Sequence, residues 1–442
     1  MNRRIPSWLA FGLIGFFAVS MPLLAIEKVI LDTDPSYDPD DVGCMAMLHG
    51  MANAGELEIL AVMNVFTHEE SALAISAINE FYGRGGIPIG DYRAEPKTPA
   101  PETNYDHFLA NNYPRRLQRS SDAPEVTDLY REILAGAESN SVTILVIGTM
   151  NNIELLLKSG PDRHSKLNGI DLIAKSVKQV VTMGGNFIDG RGYDRTNWGG
   201  SNELCRDDRT WACLNPARNA MVRYVLENCP VPFVASGWEN GNGQFNNAEQ
   251  GDVRSGSRLK EFDANHITRV AYEKHFESRG GSHKIDRHSN DQCALLYGAR
   301  GAGDYYTAHL GGKIILTPEG ECIWEDTPNG LQGYVAKLAP DQELATLIED
   351  LMMAEAMQPD TSAPTPPGKV RWSNEGNKVR LTWTAAQDRS PGSWVAYYQV
   401  YRDGQPIARA HRTEITLPAS DTPYTIAAVN VSGTESKPVL AE

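Results

Sequence analysis

The stretch Lys28-Val29-Ile30-Leu31-Asp32-Thr33-Asp34-Pro35-Ser36-Tyr37-Asp38-Pro39-Asp40-Asp41 decides the fold. Val29 to Leu31 reads as a short buried strand. Five aspartates follow within ten residues, and Pro35 and Pro39 keep that segment out of regular structure. Val42 to Met51 then reads as a mostly apolar helix. Strand, acidic loop and helix in succession is the layout of a site at the carboxyl edge of a parallel sheet. Carboxylates so close repel one another, which raises some of their pKa values unless a cation sits among them. Oxygen-only ligands favour a hard divalent ion, Ca²⁺ or Mg²⁺. An EF-hand loop starting at Asp32 is excluded, because Tyr37 and Gly43 stand where Gly and Glu are required.

Outward from this stretch the chain alternates strands and helices, as a doubly wound, mostly parallel α/β domain does. Strands are expected at Leu57–Val62, Val142–Ile147, Val177–Met183 and Val231–Ser236, and helices at Glu69–Tyr82, from Asn152 to Lys158, and from Asp291. Residues 1–25 read as an export signal: Arg3 and Arg4, an apolar run from Trp8 to Val19, and Ala25 before the cleavage point. The mature protein is thus expected to be periplasmic or secreted, with no membrane association after cleavage. Disulfides are permitted in that compartment, and Cys205 and Cys213 are placed to bridge a loop. The six cysteines match no zinc spacing. A formal charge of −15 argues against nucleic-acid polymers and anionic membranes as partners. The expected partner is a small molecule, and homo-oligomerisation is left open.

Leu344 to Met357 reads as a helix closing the first domain, residues 26–358. Residues 359–368 are a Pro-rich linker, expected to be semi-rigid and extended. Beyond it the period changes from helical to alternating. Lys378–Trp383, Val395–Arg402 and the run from Tyr424 read as strands, with a hairpin turn at Asp403-Gly404. Residues 369–442 resemble a small all-β sandwich of the fibronectin type III kind, with Trp383 in its core and Tyr424 at its tyrosine corner. A spacer role is expected for it.

The larger domain resembles the inosine-uridine preferring nucleoside hydrolase family. Asp32-Thr33-Asp34 followed by Asp40-Asp41 is similar to the family's first signature, two residues longer and with Asp38 added. Gly148-Thr149-Met150-Asn151-Asn152, Met183-Gly184-Gly185, the pair Asn197 and Glu203, and Ser289-Asn290-Asp291 follow in family order. The resemblance implies calcium-dependent hydrolysis of an N-ribosidic bond. It implies that Asp34, Asp41, Asp291 and the Asn151 carbonyl hold Ca²⁺, with Asp34 also the base that takes a proton from water. Asp40, Asp38, His68, Met183, Asn197, Glu203 and Asn290 would face the substrate.

Two departures bear on the leaving group. Asn290 stands where many members have an acidic His, and an amide is no acid at neutral pH. Cys205 stands where the family has Asn. His288 is close but displaced, while Trp198, Trp238, Tyr193 and Tyr305 are candidate stacking platforms for a base. Two other functions fit the same residues: a nucleoside- or ribose-binding protein without turnover, and a metal-dependent phosphatase using Lys175 or Lys178.

Overall fold

The computed structural model describes residues 26–36, 38–205, 210–243, 251–281, 285–353, 355–391, 393–420 and 422–442. Residues 1–25, read above as an export signal, and Tyr37 lie outside the described residues. The larger domain is built on β1 (Glu27–Thr33), β2 (Leu57–Asn64), β3 (Ile89–Asp91), β4 (Val142–Val146), β5 (Val177–Met183), β6 (Arg191–Tyr193) and β7 (Phe233–Ser236). Then come β8 (Arg254–Ser255), β9 (Arg287–His288), β10 (Tyr306–Leu316), β11 (Glu321–Glu325) and β12 (Gln332–Lys337). Ten of these form one sheet in the order β3-β2-β1-β4-β5-β7-β12-β10-β11-β6, while β8 and β9 make a separate ribbon. Pairing is parallel from β3 through β12 and antiparallel from there to β6. The expected doubly wound sheet is therefore present, and an antiparallel extension closes one side of it.

Strand β1 shows why the sheet is central. Val29 and Leu31 pack into one apolar cluster and Ile30 into another on the opposite face, the period-two alternation of a strand covered on both sides. Helices α1 (Asp40–Asn53), α2 (Glu69–Phe81), α3 (Tyr105–Asn112), α4 (Val126–Gly136) and α5 (Asn151–Lys158) follow the first strands. Strand order reverses between β1 and β4. A crevice at the carboxyl ends of strands opens at such a reversal, and the acidic loop leaves β1 there.

After the helix Asp341–Met352 come β13 (Gly368–Asn374), β14 (Lys378–Thr384), β15 (Val395–Arg402), β16 (Gln405–Ala410), β17 (Glu414–Pro418), β18 (Tyr424–Asn430) and β19 (Val439–Leu440). They form sheets β13-β14-β17 and β16-β15-β18-β19. Val370, Leu381 and Trp383 of the first meet Tyr398, Val400 and Ile426 of the second in one core, a sandwich packed as two sheets are expected to be. Tyr424 Oη donates to the Pro418 carbonyl at 2.5 Å.

The Pro-rich segment does not hold this sandwich away from the larger domain. Asp360 is bonded to Ser432, Asn430 and Thr434, and Val431 enters the larger domain's core. Gly86 N donates to Val431 O at 2.7 Å and Ser432 Oγ to Gly83 O at 2.6 Å. The Arg84 guanidinium lies 5.6 Å above the Trp394 ring. Tertiary bonds to one loop, invisible in a proline pattern, tie the start of the segment to the sandwich.

Candidate active site

The acidic loop folds back on itself because α1 begins inside it. Asp40 and Asp41 occupy the first turn of α1, where carboxylates favour the positive end of a helix. Asp41 Oδ1 accepts from Thr33 Oγ1 and from the Asp34 amide at 3.2 Å. Ligand oxygens of Asp40, Asp41 and Asp291 come within 4.8 Å of one another, and all three residues are buried. Burial and the neighbouring carboxylates push all three well above the ordinary carboxylate range. Asp34 is half-buried beside them. Burial raises it to about 6, with Arg218 opposing the shift and Asp38 adding to it. An oxygen-only donor set of this kind fits a hard divalent cation; the side chains of Asp40, Asp41 and Asp291 converge there.

A buried layer holds the loop from behind. Asp32, fully buried and raised to about 8 by that burial, accepts from Tyr130 Oη at 2.8 Å and Asn152 Nδ2 at 3.0 Å. These two bonds fasten β1 to α4 and α5. Asn151 opens α5, with its side chain bonded to Thr149 at 2.8 Å and Tyr92 at 3.3 Å. Close approach matters at Gly148, where a Cβ would stand 2.9 Å from Asp34 Oδ1.

On the other wall, Asn197 Nδ2 donates to Ile147 O at 2.8 Å and Met183 O at 3.2 Å, bridging the ends of β4 and β5. Its loop is organised by Asp194, which was not expected from the sequence. The buried carboxylate accepts from the amides of Gly185, Trp198 and Gly200 at 3.1, 3.1 and 2.8 Å. The one available signal was an aspartate between two glycine pairs. Glu203 is exposed, and the structure does not draw it into the acidic cluster. Cys205 is disulfide-bonded to Cys213.

Several expected substrate groups are already engaged. Asp38 is captured by Arg287, whose Nε donates to both carboxylate oxygens at 2.8 and 3.1 Å and whose Nη2 adds a further bond. That pair ties the acidic loop to β9, just ahead of Asn290 and Asp291. Asn290 is buried with no partner for its Oδ1. His288 is held by Asp252 at 3.1 Å and Arg254 at 2.8 Å, and burial, together with the charges of Arg254 and Arg287, lowers it to about 4. Trp198 is wholly buried and so is no stacking platform, and the Trp238 face is covered by the Arg195 guanidinium at 4.3 Å. His68 is buried at the loop's edge, bonded to Ser36 and Asp106. Lys178 pairs with Glu27 at the amino end of β1, on the far edge of the sheet, which leaves the phosphatase reading without that lysine.

The chain was compared with known proteins. Over 91 residues it is 35% identical to exoglucanase B of Cellulomonas fimi, covering 20% of this chain and 8% of that one. Over 169 residues it is 25% identical to an uncharacterised protein of Schizosaccharomyces pombe, covering 37% and 50% respectively. The chain thus spans half or less of the length of these relatives. Among solved structures, the inosine-uridine preferring nucleoside hydrolase of Bacillus anthracis superposes with a TM-score of 0.50 at 16% identity, over 74% of this chain and 99% of that one. A purine-preferring ribonucleoside hydrolase from Gardnerella vaginalis gives 0.48 at 14% identity, over 74% and 99%. The first of these likenesses supports the fold. Residues 29–204 match the family model described as inosine-uridine preferring nucleoside hydrolase. That match runs from β1 through the Asn197 loop and covers less than half of the chain.

Proposed function

We propose that the protein hydrolyses the N-ribosidic bond of a nucleoside or related ribosyl compound, with calcium as its metal. The observation that carries this reading is the buried trio Asp40, Asp41 and Asp291 beside Asp34 at the strand-order reversal. Asp34, Asp41, Asp291 and the Asn151 carbonyl would hold the ion, with Asp40 close enough to share it. Bound there, Ca²⁺ would supply positive charge that acidifies a water and fixes the vicinal hydroxyls of the sugar. Cleavage passes through an oxocarbenium-like ribosyl state, so the wall facing the sugar must be anionic. Asp34 supplies that charge and, raised only to about 6, is largely ionised at neutral pH and able to take the water's proton. Asp40, Asn197 and Glu203 would bind the ribose hydroxyls, Glu203 by moving inward from its exposed position. An unmatched hydroxyl there is costly and therefore discriminating.

The bridge Cys205–Cys213 supports an oxidising compartment, periplasmic or extracellular. No helix among the described residues is long and apolar enough to cross a membrane. The sandwich after residue 368 is read as a fibronectin type III-like module, on its two-sheet order and the Tyr424 corner. Purified protein mixed with a nucleoside panel, with and without chelator, tests the function: free ribose should appear and chelator should abolish it. Ribose binding without release of base would establish the binding-protein alternative instead.

A further inference from the structure

The hydrolase reading leaves one proton unassigned. A nucleobase leaves poorly as an anion, and neither residue near the expected acid position can protonate it. Asn290 is an amide, and His288 is neutral and occupied by Asp252 and Arg254.

A different histidine has the surroundings of an acid. His68 follows β2 at the same carboxyl edge and is buried at the head of α2. Its Nδ1 lies 2.9 Å from Asp106 Oδ2 on α3 and 2.9 Å from Ser36 Oγ, two residues beyond Asp34. Asp106 is fully buried, and its carboxylate also accepts from Ser71 Oγ at 3.2 Å and the His107 amide at 3.0 Å. Ser36 Oγ in turn accepts from Asn104 Nδ2 at 3.1 Å. A carboxylate only accepts, so it fixes the hydrogen on Nδ1 and leaves Nε2 as the nitrogen that gains and loses a proton. Doubly protonated, the ring donates from Nε2.

We infer that His68, oriented by Asp106, is the general acid that protonates the departing base, an inference resting on the hydrolase reading above. The C1′–N bond breaks with its electron pair moving to the base, which receives the Nε2 proton of His68. The water oxygen bonds to C1′ and its proton passes to Asp34. Solvent then returns the proton to His68 and removes the one on Asp34. His68 is a catalytic residue in this scheme, while Asp106 is a positioning residue, as is Ser36.

Leaving-group dependence separates this role from a structural one. A nucleoside such as uridine needs its base protonated, whereas 4-nitrophenyl β-riboside releases a stable phenolate unaided. His68→Asn keeps a donor where Nδ1–H stood and removes Nε2. It should lower kcat on uridine by about 10²–10⁴-fold, and change the nitrophenyl substrate by less than about 10-fold. Asp106→Asn should lower kcat on uridine with KM nearly unchanged and spare the nitrophenyl riboside. Equal losses on both substrates would make His68 structural and overturn the inference. His68→Gln, which keeps a polar atom at the Nε2 end, repeats the test should His68→Asn fail to fold. A wild-type protein that cleaves the nitrophenyl riboside but no nucleoside would also overturn it, while leaving ribosyl hydrolysis standing. A wild-type protein that cleaves neither would bring down the hydrolase reading, and His68 with it.

Discussion

Asp128, Asp162 and His164 bring their ligand atoms within 4.8 Å of one another, as do Asp40, Asp41 and Asp291. By donor count the two trios are equivalent. Their surroundings are opposite. Arg163 bonds Asp128 at 2.6 Å, His164 reaches the same carboxylate at 3.0 Å, and Arg131 bonds Asp162 at 2.7 and 3.1 Å. Among the described residues no Lys or Arg forms an ion pair with Asp40, Asp41 or Asp291, and the nearby Arg287 is spent on Asp38. Burial presses upward on carboxyl groups in both places. In the first trio the basic partners outweigh it and hold Asp128 and Asp162 below the ordinary value, while in the second the neighbours are acidic and add to it. What marks a cation site, then, is missing countercharge in a buried place, since acidic density alone is shared by both.

The sharpest break of this comparison is Asp41→Ala. It removes the carboxylate bonded to both Thr33 and the Asp34 amide. Metal analysis of protein prepared without chelator should fall from near one calcium per chain to none, and ribose release should be lost. Calcium retained at full occupancy would contradict the assignment. Asp34→Asn comes next. It keeps an oxygen near the metal but removes the proton acceptor, so turnover should drop about 10²–10⁴-fold, roughly 3–5 kcal/mol of barrier. Equilibrium ribose binding should largely survive, and comparable activity in the variant would refute Asp34 as base.

A third test acts on the ground beside the arginine-paired trio. Arg412 of the sandwich donates to the His164 carbonyl at 3.2 Å, and Val431 with Trp394 packs into the larger domain. A chain ending at Asp360 should keep its metal and its catalytic groups yet lose about 3 kcal/mol of stability, from one or two large apolar side chains no longer covered. The denaturation midpoint checks this. An unchanged midpoint would return the sandwich to the spacer role expected from the sequence, while loss of turnover in a folded chain would show that it completes the site.

What was legible in the chain follows from what is local. The strand, acidic loop and helix of residues 27–53, and the strand Val177–Met183, announce themselves through apolar runs broken by aspartate or glycine. Met183 and Asn197 were brought together at one strand end, and Asp291 reached Asp40 and Asp41, because sheet topology gathers strand ends. The partners were not legible. Nothing local to Asp38 shows that Arg287 will take it, and nothing near His68 points to Asp106. Such pairs depend on which loops the fold brings face to face. The antiparallel strands β10 to β12 were missed for a related reason. Tyr306–Leu316 carries two glycines and alternates poorly, so its pairing is set by neighbours instead of by its own pattern.

The smallest expected effect is the most discriminating. Asp128→Asn should leave calcium content and ribose release unchanged, since its trio is satisfied by Arg163 and His164. Its stability effect follows from the sign of the shift. Burial raises the Asp128 pKa, but the His164 hydrogen bond and the charges of His164 and Arg163 win, and the carboxyl titrates below 3.8. A depressed carboxyl contributes stability that is present above its unfolded value and lost as pH falls through its folded one. The side chain is about a third exposed, 32%, so screening keeps the contribution at about 0.5–1 kcal/mol. Denaturation at pH 7 should therefore show a loss of that size in the variant, and the difference should shrink as pH falls below 3.8 through the folded-state titration. If Asp128→Asn instead lowers the bound metal, the arginine-paired trio holds an ion after all, and countercharge is not what separates the two sites.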